Sequence, residues 1–284
     1  MLRRSVQPFV GLLSLLLAVA CQRQNPSPPS VAKPTSPPAT ATAQATPSGV
    51  LNDVVERDPR YMIGISYPPI ASKYPGLATE LKRYADAARG ELMQAVVGMG
   101  PNKPAAPYDL SLSFTEVAAT PELVVIAADG SSYTGGAHSN PLVARFVWLP
   151  RQDKSLPVTD LVPDPKAWRD IAGYIREQLH AALSQRVDAD DLPPADRAEI
   201  VRNAGRMIDE GTGSDVANFA QFEPVLSPEG RITALRFVFP PYQVGPYADG
   251  TQTVDVPTDV MLPKIAQGYR HLFVGVDGRG EVPR

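Results

Sequence analysis

The chain has 284 residues, with 27 Lys and Arg against 30 Asp and Glu, a net charge of −3 and a single cysteine. Near-neutrality without a dense Lys/Arg block disfavours a nucleic-acid partner, whose phosphates require a basic footprint. One cysteine excludes an intramolecular disulfide, so the fold must be held by its core.

Residues 1–20 read as an export signal. Arg3 and Arg4 form a positive start, residues 9–20 are apolar but too short for a mature membrane span, and Ala18, Val19 and Ala20 supply small residues for cleavage. Cys21 follows at once, as in a bacterial lipobox, where the thiol is acylated and becomes the mature N-terminus. Several acyl chains, at ~0.8 kcal/mol per buried CH₂, suffice for stable anchoring. By analogy with Gram-negative lipoprotein sorting, Gln22 in place of aspartate implies the outer membrane, facing the periplasm. The alternative is an ordinary secretory signal with an incidental cysteine. Residues 21–53 then form a lipidated Pro/Ser/Ala/Thr tether without aromatic residues, which cannot bury enough apolar area to offset its ordering entropy.

Order begins near Val54. Tyr61, Ile63, Ile65 and Tyr67 alternate with Met62, Gly64 and Ser66 as a strand, which Pro68 and Pro69 end. Leu77, Leu81, Tyr84, Ala88, Leu92 and Val96 recur every three or four residues, the stripe of an amphipathic helix. After a Gly/Pro-rich break at 98–107, Tyr108, Leu110, Leu112 and Phe114 alternate as a half-exposed strand. Residues 123–128 are continuously apolar and read as a strand buried on both faces. A loop containing Gly135 and Gly136 joins it to another strand at 142–149, closed by Pro150. Asp164 and Pro165 are a helix start, and Trp168, Ile171, Ile175, Leu179 and Leu183 are its core face. Pro193 and Pro194 open a further helix with Ile200, Ala204, Met207 and Ile208 inward, ending near Gly211. Residues 222–226 and 232–239 form a hairpin about a Ser-Pro-Glu-Gly turn. Val254 and Val256 mark a short strand, and residues 262–269 a terminal helix. This order predicts an α+β fold, with antiparallel sheets and helices packed on one face, in two sequential subdomains at 54–150 and 151–284.

The chain offers three histidines, His138, His180 and His271, and none has a second histidine at metal-ligand spacing. No metal is expected, and no cofactor, because no phosphate-cradling Gly-rich loop or dinucleotide fingerprint is present. There is no Gly-x-Ser-x-Gly elbow either. Ser131, Ser132 and Ser139 leave a spatial Ser/His/Asp arrangement open without raising it above background. His180 reads as a solvated helix residue, and His271 has no obvious partner.

Two loops hold the distinctive residues. The first carries Tyr133, Gly135, Gly136, His138 and Asn140; the second carries Tyr242, Pro246, Tyr247 and Asp249. Paired glycines permit positive φ, and His138 or Asn140 would then fix the turn through loop carbonyls. The same residues at a strand end equally suit a rigid polar rim for binding, and tyrosines beside Gly245-Pro246 suit contact with sugar or protein. Side-by-side loops favour a site, whereas separated loops packed inward favour a shaping role.

At these loops the chain resembles the extracytoplasmic module of the peptidoglycan deacetylase PdaC and the lysozyme-sensing anti-sigma factor RsiV, which pairs the domains of unknown function 4163 and 3298. The Tyr-x-Gly-Gly-Ala-His-x-Asn signature spans residues 133–140, and Tyr-x-x-x-Pro-Tyr-Ala-x-Gly spans 242–250. Residues 160–179 resemble the opening of the second domain, and the whole likeness covers about 54–263. It implies an α+β module outside the membrane, binding lysozyme in the anti-sigma factor and preceding the catalytic domain in the deacetylase. Only eight residues precede the apolar start, which leaves no room for a cytoplasmic sigma-factor segment, and no deacetylase domain follows. The expected function is therefore a non-enzymatic envelope lipoprotein that binds a lysozyme-like protein or peptidoglycan glycan. The alternatives are a cell-wall hydrolase using His138 as acid/base, and a structural envelope protein.

Overall fold

The computed structural model describes residues 51–100, 104, 106–190 and 192–275, all within one compact unit. The signal, Cys21 and the tether up to residue 50 lie outside the described residues.

β1 (Val54–Asp58) and β2 (Tyr61–Ser66) form an antiparallel hairpin. β2 follows its alternation, with Ile63 and Ile65 buried and Met62 and Gly64 exposed. β1 carries no such mark in its sequence and forms by completing the free edge of β2. α1 (Pro75–Gly98) begins with a proline in its first turn, where no N–H is needed, and buries Leu77, Leu81, Ala85, Ala88, Leu92 and Val96. Tyr84, placed on the same face by periodicity, is half-buried at its rim.

α1 carries the chain over the sheet so that β3 (Tyr108–Ala119) lies parallel to β2. That parallel pair departs from the antiparallel expectation. A helix-length connection is what a parallel crossover requires. β4 (Val124–Tyr133), β5 (Asn140–Leu149) and β6 (Lys154–Ser155) then add antiparallel, giving the order β1-β2-β3-β4-β5-β6. One face of this sheet (Ile63, Leu110, Leu112, Phe114, Ile126 and Ala128) packs on α1. Leu123, just before β4, and Val125 on it point to the other face and join a second core with Val147 and Leu149. This explains why 123–128 is apolar throughout: both faces of β4 are covered there.

The second core belongs to the C-terminal half. α2 (Val158–Leu161) is one turn, and α3 (Ala167–Ala189) buries Trp168, Ile171, Ile175, Leu179, Leu183 and Val187. α3 starts after the expected Asp164 because the Asp164 carboxylate accepts from the Lys166 N–H (2.9 Å), closing a local turn ahead of the helix. α4 (Pro194–Gly211) packs on α3 through Ala204, Gly205 and Ile208, but Ile200 is 38% exposed and Met207 half-buried, contrary to the inward placement read from spacing. A 3₁₀ turn at Val216–Phe219 leads into the antiparallel sheet β7 (Phe222–Leu226), β8 (Ile232–Phe239) and β9 (Gln252–Pro257). Leu235, Phe237 and Phe239 face α3, and Trp168 stacks on Phe219 at 5.4 Å. After α5 (Thr258–Met261), the expected terminal helix is instead two 3₁₀ turns, Leu262–Lys264 and Gln267–Leu272. Pro263 supplies no N–H, and the Ala266 N–H bonds across to the Leu161 carbonyl (2.8 Å), so no α-ladder runs through.

The fold class is α+β, as expected. The two sheets meet where β5 contacts β7, and Arg145 joins them. Its backbone N–H donates to the Gln221 side chain (2.7 Å), and its Nε to Glu223 Oε2 (2.9 Å). Among the described residues, no helix is long and apolar enough to cross a membrane.

Candidate functional site

The β4–β5 hairpin is the first half of the site. Ser132 and Asn140 form its last ladder pair, leaving residues 133–139 to turn the chain. Gly135 and Gly136 sit at φ +98° and +108°, a backbone that side-chain-bearing residues rarely adopt. The Tyr133 hydroxyl donates to the Gly136 carbonyl (3.3 Å), closing the turn on itself. His138 is thereby held exposed at the hairpin tip.

The second half is the β8–β9 connection. The Gln243 N–H donates to the Pro240 carbonyl (3.1 Å) and Tyr242 has φ +74°, the pattern of a type II turn with tyrosine where glycine is usual. A bulky residue in this region is strained and persists only where its surroundings fix it. Here they do. The Gln243 Nε2 donates to the carbonyls of Gly211 (3.2 Å) and Asn218 (2.8 Å), pinning the loop to the end of α4. Gly211 permits that approach, because an added Cβ would collide with the Gln243 carbonyl oxygen. At the other end, Arg186 of α3 donates to Asp249 Oδ2 (2.8 Å) below the 3₁₀ turn Tyr247–Asp249.

These two loops, about a hundred residues apart in the chain, meet at their tips. His138 Nε2 lies 2.6 Å from the Tyr242 hydroxyl, and the His138 ring stacks on Tyr247 with centroids 4.3 Å apart and planes at 16°. Tyr242 and Tyr247 lie 5.7 Å apart at 37°. His138 Nδ1 is 3.2 Å from the Ser139 carbonyl oxygen, which can only accept, so Nδ1 carries a proton. In the neutral ring Nε2 is then the acceptor, and Tyr242 donates to it. Protonation of Nε2 would reverse that bond, with the imidazolium donating to the tyrosine oxygen.

The sequence-derived residues therefore divide by position. His138, Tyr242 and Tyr247 form one surface cluster, with Tyr242 50% and Tyr247 37% exposed. Tyr133, Gly135 and Gly136 shape the hairpin beneath it. Asn140 opens β5 in the ladder, Pro246 precedes the 3₁₀ turn, and Asp249 anchors it. Gln243, Gly211 and Arg186 complete the support without standing out as site residues in the sequence, where Gly211 marks only a helix end and Gln243 lies inside the unusual loop. Ser131 and Ser132 lie in β4, and Ser139 meets His138 through its carbonyl. His180 is partly exposed and paired with Asp209 across α3 and α4 (2.9 Å), rather than simply solvated. His271 lies in the last 3₁₀ turn. Among the described residues, no group of three or more His, Cys, Asp or Glu side chains could hold a metal ion. Chemically, the cluster offers flat aromatic faces and polar edges, fixed in place by hydrogen bonds from below.

Residues 159–259 match the family model described as "Protein of unknown function (DUF3298)", so a DUF3298 domain is present over that stretch. The match takes in the second loop and leaves the first outside it. Among solved structures, a member of the DUF3298 family from Bacteroides fragilis is similar at 16% identity, with 77% of this chain and 94% of that one covered and a TM-score of 0.47. A DUF3298 family protein from Pseudomonas aeruginosa is similar at 14% identity, covering 78% and 95%, with a TM-score of 0.42. No curated protein matches the chain.

Proposed function

We propose that this chain is a bacterial envelope lipoprotein, anchored through Cys21, whose folded part is a non-enzymatic binding module for a lysozyme-like protein or the peptidoglycan glycan. The observation that carries the reading is the convergence of the two signature loops: a hydrogen bond of 2.6 Å and a ring stack of 4.3 Å join His138 to Tyr242 and Tyr247 at an exposed tip. Tyrosines held rigid and exposed lose little rotamer freedom on contact, and they are enriched where binding energy concentrates. The strained Tyr242 backbone, fixed by Gln243 and Gly211, favours a presented side chain over an incidental one.

Binding is favoured over hydrolysis by the partners of His138. Its ring nitrogens meet a backbone carbonyl and a tyrosine hydroxyl, and the Asp249 carboxylate of the second loop is engaged by Arg186. An acid/base histidine is usually oriented by a carboxylate instead. The test is calorimetric titration of the protein with lysozyme and, separately, with muropeptides. Saturable binding of one of them, weakened about tenfold or more by Tyr247→Ala or His138→Ala, is expected. No binding to either ligand would contradict the reading. Peptidoglycan turnover that disappears with His138→Ala in a folded protein would favour the hydrolase.

A further inference from the structure

The apolar stripe of α4 is wider than its contact with the core. Ile200, Ala204 and Met207 recur at the spacing of a buried helical face, yet only Ala204 is buried. Ile200 and Met207 instead line an open groove of about 390 Å³ between α4 and Pro246 of the second loop. A helix that spends apolar residues on such a surface resembles one with a missing partner.

The remaining lining residues say what that partner carries. They are Asp196, Glu199 and Asn203, so two carboxylates and no cation face the groove. Asp196 lies in the first turn of α4 and has an internal reason to be acidic, because it complements the helix N-terminus. Glu199 lies beyond that turn and has no such reason. Among the described residues neither carboxylate is ion-paired, whereas the neighbouring Arg197 is taken by Asp188 (2.9 Å) and Arg206 by Asn203 (3.3 Å). The groove is also continuous with the loop cluster, since Pro246 forms part of its wall and Tyr247, the next residue, stacks on His138.

We infer that the groove between α4 and Pro246 docks a segment of a partner protein that pairs an apolar side chain, seated against Ile200 and Met207, with a lysine or arginine facing Glu199 and Asp196. This rests on the binding reading of the adjacent loops and narrows it to a protein partner with a cationic, apolar-tipped segment. A neutral glycan chain would leave both carboxylates unmatched and the aliphatic floor without an apolar occupant.

The test uses the full chain and three fluorescein-labelled decapeptides of alternating Lys-Leu, Lys-Ser and Glu-Leu, followed by fluorescence anisotropy at physiological salt. Lys-Leu is expected to bind about tenfold more tightly than Lys-Ser, with Glu-Leu the weakest. Glu199→Lys and Ile200→Ser should each weaken Lys-Leu binding several-fold or more while circular dichroism stays unchanged. Both are exposed helix positions, and Glu199→Gln provides a milder second variant. Equal binding of Lys-Leu and Lys-Ser, or Lys-Leu binding indifferent to all three variants, would overturn the inference. The loop reading is separable: it survives if lysozyme or muropeptide binding still depends on His138 while the groove variants have no effect, and it fails if that dependence is absent.

Discussion

Arg145→Met removes the side-chain link between the two sheets, leaving the backbone bond to Gln221 and the aliphatic volume of the side chain in place. Arg145 has a 9% exposed side chain, and it donates to Glu223 Oε2 at 2.9 Å, Asp129 Oδ1 at 3.1 Å and the Ala144 carbonyl at 2.9 Å. Without it, the Glu223 carboxylate, 10% exposed, keeps only Arg236 Nη1 at 3.6 Å among the described residues. Breaking one side of a buried pair costs about 3–5 kcal/mol. The remaining Arg236 places the expected loss at the low end, about 3 kcal/mol. Asp129, 52% exposed, adds less than about 1 kcal/mol. Urea unfolding followed by circular dichroism should show the midpoint falling by about 1–2 M for this loss. The double variant Arg145→Met with Glu223→Met should recover part of it, since replacing both partners by apolar groups is often near neutral. A loss below about 0.5 kcal/mol for the single variant would refute the idea that this pair clamps the sheets.

Gly211→Ala would drive a methyl into the Gln243 carbonyl and loosen the second loop. It should lower stability by about 1–3 kcal/mol and weaken ligand binding although no contacting ring is changed, as unfolding and titration would measure. Tyr67 has its hydroxyl pKa pushed up to about 12, chiefly by burial and then by the charges of Asp86 and Asp53. Its folded pKa lies above the unfolded value near 10, so stability is full below about pH 10 and falls as pH rises towards 12. Burial raises Tyr84 as well, so ultraviolet titration should show late-ionising tyrosine absorbance that falls by one ring in Tyr67→Phe and does not vanish. Cys21→Ser should abolish palmitate labelling and release the protein from the membrane fraction, and unchanged membrane retention would contradict lipid anchoring.

Much of the fold was legible where one periodicity dominated. The stripe from Leu77 to Val96 gave α1, the alternation about Ile63 and Ile65 gave β2, and the unbroken run 123–128 gave a strand covered on both sides. What stayed hidden depends on long-range contacts. β1 needs the edge of β2, and the parallel register of β3 comes from the crossover of α1. The turn through Ala266 depends on a carbonyl on α2. Ile200 and Met207 satisfied helical spacing, but spacing cannot tell a core from a groove. At the site, the odd composition of the two loops was visible, whereas their meeting was not. That meeting rests on Gln243, Gly211 and Arg186, whose roles exist only once α3, α4 and β8 are packed.

The most direct test of the binding account is nuclear magnetic resonance of His138, Tyr242 and Tyr247 ring signals during titration with lysozyme or muropeptides. Saturable shifts of all three rings together, at the same midpoint as calorimetric binding, are expected. Saturable binding that leaves these three signals unmoved would contradict the assignment of the site.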